Sequence, residues 1–166
     1  MKQESCEERI GRNLDSTITD LRQIFAAEQW PHMDTAERVE HCDEEGFSIF
    51  AARRDEYPAN DWHEDSFYEY GLSFDYVASG TFNDQDEPYW RYQLSWGGPS
   101  DEIRFYASVD NFETCHATVH RAEYVFMDWF DGAERTLCGT DRDIAEQAWN
   151  RFNDCDTVEH TMQEAV

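Results

Sequence analysis

Lysine is almost absent from this sequence of 166 residues, in which Lys2 is the only one. Thirteen basic residues stand against 37 acidic ones, giving a formal net charge of −24 at pH 7. Nucleic-acid-binding proteins neutralise phosphates with clustered lysine and arginine, so this composition disfavours direct nucleic-acid binding. The charge indicates a basic partner instead.

Long apolar runs are also missing. No stretch reaches about 18 apolar residues, the length that a membrane-spanning helix needs. The start of the chain, MKQESCEERIG, is polar where a secretory signal peptide would be apolar. We therefore expect a cytoplasmic protein that makes no membrane contact. The hydrophobic content of 40% is enough for a core, and we predict a single domain over residues 1–166 with a frayed tail at about 156–166.

Motifs that carry catalytic or metal chemistry are lacking as well. The five cysteines are an odd number without a CxxC pair, so we expect reduced, mostly buried thiols instead of a disulfide framework. Segments 41–43 and 115–120 combine cysteine with histidine, but their spacing matches no zinc motif. Dinucleotide-binding, P-loop, zinc-protease and serine-hydrolase motifs do not occur. We therefore predict no enzyme activity, no catalytic residues, no metal and no cofactor.

Helical periodicity marks both ends of the chain. Over residues 4–27, apolar side chains recur at helical spacing, namely Ile10, Leu14, Ile18, Leu21, Ile24 and Phe25, which predicts an amphipathic helix. Asp34 followed by Glu37 predicts the capping box of a second helix, which should end at Gly46. Near the C-terminus, Thr140 and Asp143 predict the start of a third helix.

The centre of the chain changes to a period of two, which is typical of strands. Four segments show this alternation: 68–76, 90–96 with Trp90, Tyr92, Leu94 and Trp96 inward, 103–105, and 119–129. Two helices, four antiparallel strands and one helix predict an α+β fold with helices on the apolar face of the sheet. On the exposed face we expect Arg91, Arg104 and Arg121 among Glu69, Asp75, Glu102 and Glu123.

The surplus of acidic residues is spread along the chain. Residues 1–66 contribute −10, residues 67–137 contribute −9, and residues 138–166 contribute −5. Clusters nevertheless occur in predicted loops and helix ends, where carboxylates project: Asp43, Glu44, Glu45, Asp55, Glu56, Asp61, Glu64, Asp65, Asp84, Asp86 and Glu87. B-DNA carries one negative charge per about 1.7 Å of its axis, so a rigid acidic surface can imitate a short duplex.

We predict that these acids bind a partner, together with Trp129, which follows an aspartate in the segment MDWFDGA. Tryptophan is enriched at interface hot spots, and acidic neighbours would steer a basic partner towards it. The alternative for a tryptophan in a loop is that it folds back onto the edge of the core.

Two segments, LSWGGPSDEIRF and EYVFMDWFDGA, resemble small acidic accessory proteins of plasmids, integrative elements and phages. The resemblance covers about residues 89–137, under a third of the chain. It implies a mobile-element setting, in which acidic proteins counter host restriction or CRISPR systems. We therefore expect an inhibitor that occupies the basic DNA-binding surface of a host defence protein, a CRISPR surveillance complex or a restriction enzyme, by DNA mimicry.

A second interpretation stays open, because scarce lysine and abundant acid are also typical of salt-adapted proteins. The chain would then be an acidic protein-binding module without DNA mimicry. The aromatic content favours the first interpretation. Phe, Tyr and Trp number 25 against 18 for Leu, Ile and Val, and salt adaptation does not explain that ratio.

Overall fold

The computed structural model describes residues 4–59, 61–63, 66–111 and 116–165. Over these residues the chain is an α+β protein with five α-helices and one five-stranded antiparallel sheet. The predicted α+β class is confirmed, and the strand number of four is corrected to five. None of the helices in the described ranges is long and apolar enough to cross a bilayer.

The chain divides into two compact units. We call them the sheet unit, Met1–Ile18 with Gly71–Val166, and the helical unit, Thr19–Tyr70. The single domain over residues 1–166 stays a prediction. By sequence, the helical unit has 14 acidic and 4 basic residues (−10), and the sheet unit has 23 and 9 (−14), so both units are strongly acidic.

Helix α1 spans Cys6–Gln29 and confirms the first predicted helix. All six residues of its predicted apolar stripe are buried. A capping box begins the helix, because Ser5 N donates to Glu8 Oε2 at 2.8 Å and Glu8 N donates to Ser5 Oγ at 3.3 Å. The local sequence therefore fixes the start of α1.

The helical unit contains α2, Thr35–Glu44, and α3, Ser66–Tyr70, with short 3-10 helices at Trp30–His32 and Ile49–Arg53. The predicted capping box of α2 is confirmed: Asp34 Oδ1 accepts from Glu37 N at 3.0 Å, and Asp34 N donates to Glu37 Oε2 at 2.7 Å. One buried cluster of the unit consists of Ala27, Trp30, Cys42, Ala51, Ala52 and Tyr57.

The sheet is a meander in which each strand pairs with its neighbours in sequence. Its strands are β1 Ser73–Val77, β2 Tyr89–Gln93, β3 Ser100–Asn111, β4 His116–Asp128 and β5 Asp131–Thr136. Helices α4, Gly139–Asp154, and α5, Thr157–Glu164, follow. Trp149 of α4 packs against Trp90 and Phe105, with ring centroids 5.4 Å apart in both pairs, so aromatic side chains form the core of this unit.

The first predicted strand, over residues 68–76, is wrong in its first half. Ser66–Tyr70 is helix α3, and only Ser73–Val77 is a strand. The helix is stabilised by contacts distant in sequence: Phe67 packs against Phe25 at 5.6 Å between centroids, and the Tyr70 hydroxyl donates to Asp20 Oδ2 at 3.1 Å. Packing within the helical unit therefore overrides the alternating pattern.

Two further features of the C-terminal third differ from expectation. Strand β5 was not predicted, because Ala133 is its only buried residue and its sequence DGAERT has no apolar alternation. Helix α4 has Cys138 at its N-cap instead of Thr140. In the segment predicted to fray, residues Thr157–Glu164 are helical, Val158 is buried, and Trp90 Nε1 donates to Val158 O at 3.2 Å.

The sheet face opposite α4 and α5 carries the predicted charge pairs. Arg91 Nη2 lies 3.1 Å from Asp75 Oδ2, and Arg104 Nε lies 2.6 Å from Glu102 Oε1. Arg121 binds Glu123 at 3.3 Å as predicted and also Glu87 at 2.8 Å. Glu69 was placed wrongly on this face, because it lies in α3. The face is also less solvated than expected, since Glu102 is only 2% exposed.

Candidate partner-binding surfaces

The last turn of α2 presents one predicted acidic cluster. Asp43 and Glu44 are exposed and form no ion pair with any described residue. Glu45 is the C-cap residue, is half-buried, and binds Arg22 with 3.3 Å between Oε1 and Nε. Two of the three predicted carboxylates are therefore available to a partner.

Sequence reasoning missed two further acids on the same helix. Glu37 and Glu40 are exposed, and with Glu44 they occupy positions i, i+3 and i+7 of α2. At a rise of 1.5 Å per residue they follow one side of the helix at steps of about 4.5 and 6 Å. We call these three side chains the α2 acidic stripe. The signal was present in the sequence as acids at helical spacing.

A second acidic surface of the helical unit surrounds a cleft of about 500 Å³. Asp55, Glu56 and Asp61 line it together, beside Trp30 and Trp62. Trp62 is half-buried and packs edge-on against Tyr70, with centroids 6.1 Å apart. The predicted residues Glu64 and Asp65 lie outside the described residues.

The loop between β1 and β2 carries the third cluster, in the sheet unit. Asp84 and Asp86 are exposed, whereas Glu87 is half-buried and contacts an arginine and a histidine of β4. Its Oε2 accepts from Arg121 Nη2 and its Oε1 lies beside His120 Nε2, both at 2.8 Å. Glu87 therefore fastens the loop to β4, and Asp84 and Asp86 are the residues left to meet a partner.

Trp129 lies in the turn between β4 and β5 and is 82% exposed. With Phe130, which is fully exposed, it forms what we call the aromatic turn. A Cβ atom on Gly98 would lie 2.7 Å from Trp129 Nε1, so this turn touches the loop between β2 and β3. Trp96 in that loop was predicted to face the core, but it is 79% exposed because β2 ends at Gln93.

Two aspartates hold the aromatic turn against α1 within the sheet unit. Asp128 forms an ion pair with Arg9, and Asp131 Oδ2 accepts from Cys6 N, the first residue of α1, at 2.6 Å. Hydrogen bonding from the Cys6 backbone lowers the pKa of Asp131 below its usual value. The turn therefore presents its two rings from a fixed base.

We expect Asp131→Ala to destabilise the sheet unit at neutral pH more than at low pH. The pKa of Asp131 is lower in the folded state than in the unfolded chain, where it is about 3.9. Its carboxylate therefore stabilises the folded state fully above the unfolded pKa, and this stabilisation is lost as pH falls through the folded-state pKa. Urea unfolding at pH 7 and about pH 2.5 measures the difference from the parent protein. Asp143→Asn, an exposed change on α4, is the control. If Asp131→Ala lowered the free energy of unfolding by the same amount at both pH values, the role of the carboxylate would be contradicted.

Metal-ligating residues do not cluster in the part of the chain that the structure describes: no group of three or more His, Cys, Asp or Glu there is arranged to hold an ion. Cys115 lies outside the described residues. Cys6 and Cys42 are buried, whereas Cys138 and Cys155 are exposed, so half of the described thiols differ from the expected burial. Burial raises the pKa of the Cys6 and Cys42 thiols, which disfavours reactive thiolates.

The surfaces assembled by the fold are thus an acidic helix face and an acidic cleft in the helical unit, and an acidic loop and the aromatic turn in the sheet unit. Each presents carboxylates or aromatic rings to solvent. Comparison of the chain with protein-family models, with curated proteins and with solved structures found no match.

Proposed function

We propose that the protein is an acidic inhibitor from a mobile genetic element that occupies the basic DNA-binding surface of a host defence protein. The target class is a CRISPR surveillance complex or a restriction enzyme, and DNA mimicry is the mode of action. The mobile-element setting rests on the resemblance of the LSWGGPSDE and VFMDWFDGA segments. The acidic surfaces supply the recognition chemistry.

One observation carries the proposal: seven of the twelve arginines pair with carboxylates of the chain itself, whereas seven of the predicted partner-binding acids form no ion pair with described residues. Seven arginines form ion pairs with carboxylates of described residues: Arg9, Arg12, Arg22, Arg91, Arg104, Arg121 and Arg142. The predicted acids Asp43, Glu44, Asp55, Glu56, Asp61, Asp84 and Asp86 have no such pair with described residues. The negative field of the surface is therefore left for an external cation.

The α2 acidic stripe is the part of this field that lies along a capped helix. A helix holds its carboxylates at fixed intervals, and the capping box at Asp34 secures its first turn. A basic groove that follows regularly spaced phosphates would meet regularly spaced carboxylates here. Because preorganised charges lower the ordering cost of association, a helix suits this task better than a flexible acidic tail.

A competition assay tests the proposal. Fluorescence anisotropy follows displacement of a labelled DNA duplex from a purified restriction enzyme or CRISPR surveillance complex. The triple variant Glu40→Gln, Asp43→Asn, Glu44→Gln removes two acids of the α2 acidic stripe and the neighbouring Asp43. Glu37 is kept because its side chain belongs to the capping box. The variant should weaken competition about tenfold, since each interfacial charge contributes about 0.2–1 kcal/mol. Competition by the parent protein should weaken steeply as salt rises.

The matched control is Glu7→Gln, Asp143→Asn, Asp154→Asn, which removes the same number of exposed helical charges elsewhere. If both triple variants lost the same amount of competition, the effect would depend on net charge alone. That result would overturn recognition by the α2 acidic stripe. Absence of competition with any DNA-handling defence protein, together with loss of the circular dichroism of the fold at low salt, would favour the salt-adapted binding module.

A further inference from the structure

A cavity of about 380 Å³ lies on the sheet face opposite α4 and α5. Its floor includes Tyr89 and Gln93 of β2 and Glu102 of β3, and all three are buried. Phe82 and Trp96 line its sides and are 53% and 79% exposed. Small-molecule sites are concave and combine aromatic walls with a few placed polar groups, and this cavity has both.

Two arginines give this cavity its chemistry. Arg104 lies over the ring of Tyr89, 4.9 Å from its centroid, and uses Nε to bind Glu102. Arg91 uses Nη2 to bind Asp75. Among the described residues, Arg91 Nε has no acceptor although it is shielded from water, and the Nη atoms of Arg104 have no carboxylate partner. The cavity therefore holds guanidinium donors that the fold leaves unsaturated.

The charge around the cavity limits the ligand. Asp75 and Glu102 balance the two arginines, so the site is close to neutral in a chain of charge −24. A ligand with several negative charges is repelled by that overall field. A single carboxylate is held by the planar donors of a guanidinium, and a flat ring stacks on aromatic walls.

We propose that this cavity binds a small planar ring compound that carries one carboxylate. The carboxylate meets the Nη atoms of Arg104, and the ring lies between Phe82 and Trp96. Gln93 is held in place by its own hydrogen bonds to Ser95 O and Asp101 O, at 2.6 and 3.1 Å, so the floor is rigid before a ligand arrives. The proposal does not rest on the proposed inhibition, although Phe82, Tyr89 and Arg104 also line the neighbouring cleft of the acidic loop.

The test uses 2-naphthoate as the probe, with 2-naphthylmethanol as its neutral counterpart of similar shape. Titration calorimetry on the full chain should give a Kd below about 1 mM for 2-naphthoate and binding at least about tenfold weaker for the alcohol. In ¹H–¹⁵N spectra, the indole signal that disappears in Trp96→Ala should shift in the parent protein on addition of 2-naphthoate.

Single variants test whether 2-naphthoate binds in the cavity or at another exposed aromatic side chain. Trp96→Ala should weaken 2-naphthoate binding about fivefold, whereas Trp129→Ala, an equally exposed tryptophan that does not line the cavity, should leave it unchanged. Arg104→Lys keeps the positive charge but removes the paired Nη donors of the guanidinium. It should weaken binding of 2-naphthoate about tenfold. If Arg104→Lys does not fold, Phe82→Ala takes its place with the effect expected for Trp96→Ala.

Equal affinity for 2-naphthoate and the alcohol, or equal losses in Trp96→Ala and Trp129→Ala, would overturn the site. So would an unshifted Trp96 indole signal at millimolar probe. DNA competition by Trp96→Ala should equal that of the parent protein, so failure of the cavity and failure of the proposed inhibition give different results.

Discussion

Trp149→Ala should lower the free energy of unfolding by about 3–5 kcal/mol, the range for deletion of a large buried aromatic side chain. Trp149 is 3% exposed and lies against Trp90, Phe105 and Phe74, with centroids 5.4, 5.4 and 6.2 Å away. These rings join helix α4 to three strands of the sheet. Their shared contacts are therefore lost together when the indole is removed.

The measurement is urea and thermal unfolding followed by far-ultraviolet circular dichroism, with a decrease in Tm of about 10 °C expected for a chain of this size. Trp129→Ala is the matched control, because that tryptophan is exposed in the aromatic turn and its removal should change stability by less than about 0.5 kcal/mol. Similar losses in both variants would contradict the assignment of the core to the α4 side of the sheet.

Gly71→Ala should also destabilise the protein strongly, although it adds only one methyl group. A Cβ atom at position 71 would lie 2.6 Å from Cζ and 2.7 Å from the hydroxyl oxygen of Tyr92, and closer still to Cε2. Tyr92 is buried and packs edge-on against Phe152 with centroids 5.0 Å apart, so its ring cannot move away freely. Overpacking of this kind costs about 2–3 kcal/mol.

Gly132→Ala supplies the comparison, since its Cβ would meet Met127 Cγ and Phe126 O only at 3.8 Å. We expect that variant to keep the stability of the parent protein, because alanine is tolerated in a strand where space exists. Urea midpoints with unchanged slopes measure both changes. A Gly71→Ala protein as stable as Gly132→Ala would show that Tyr92 is less constrained than its packing indicates.

The parts of the fold that the sequence predicted are those set by local interactions. The stripe from Ile10 to Phe25 and the capping box of Asp34 and Glu37 depend on residues within a few turns of each other. Segment 66–70 depends on Phe25 and Asp20, which are about 45 residues away in sequence, and alternation alone did not reveal that packing. Strand β5 has no apolar alternation that would predict it. It is a strand because it pairs with β4, a tertiary contact that its own sequence does not reveal.

The candidate surfaces follow the same division. Exposed acids such as Asp43 and Asp84 were predicted from composition and from their positions at a helix end and in a loop. The engagement of Glu45 by Arg22 and of Glu87 by Arg121 depends on tertiary contacts, which remove both carboxylates from the available set. The arginine-lined cavity was missed entirely, because β2, β3, β4 and two loops contribute to it and no one segment contains its pattern.

The meander order of the sheet has a consequence for how the protein is made. Each strand finds its partner in the segment synthesised just before it, so hairpins can close in turn as the chain leaves the ribosome. Pairing between neighbouring strands keeps the entropic cost of loop closure low and favours fast folding for a β-rich protein. A nascent chain of this kind spends little time with an unpaired strand available to other chains.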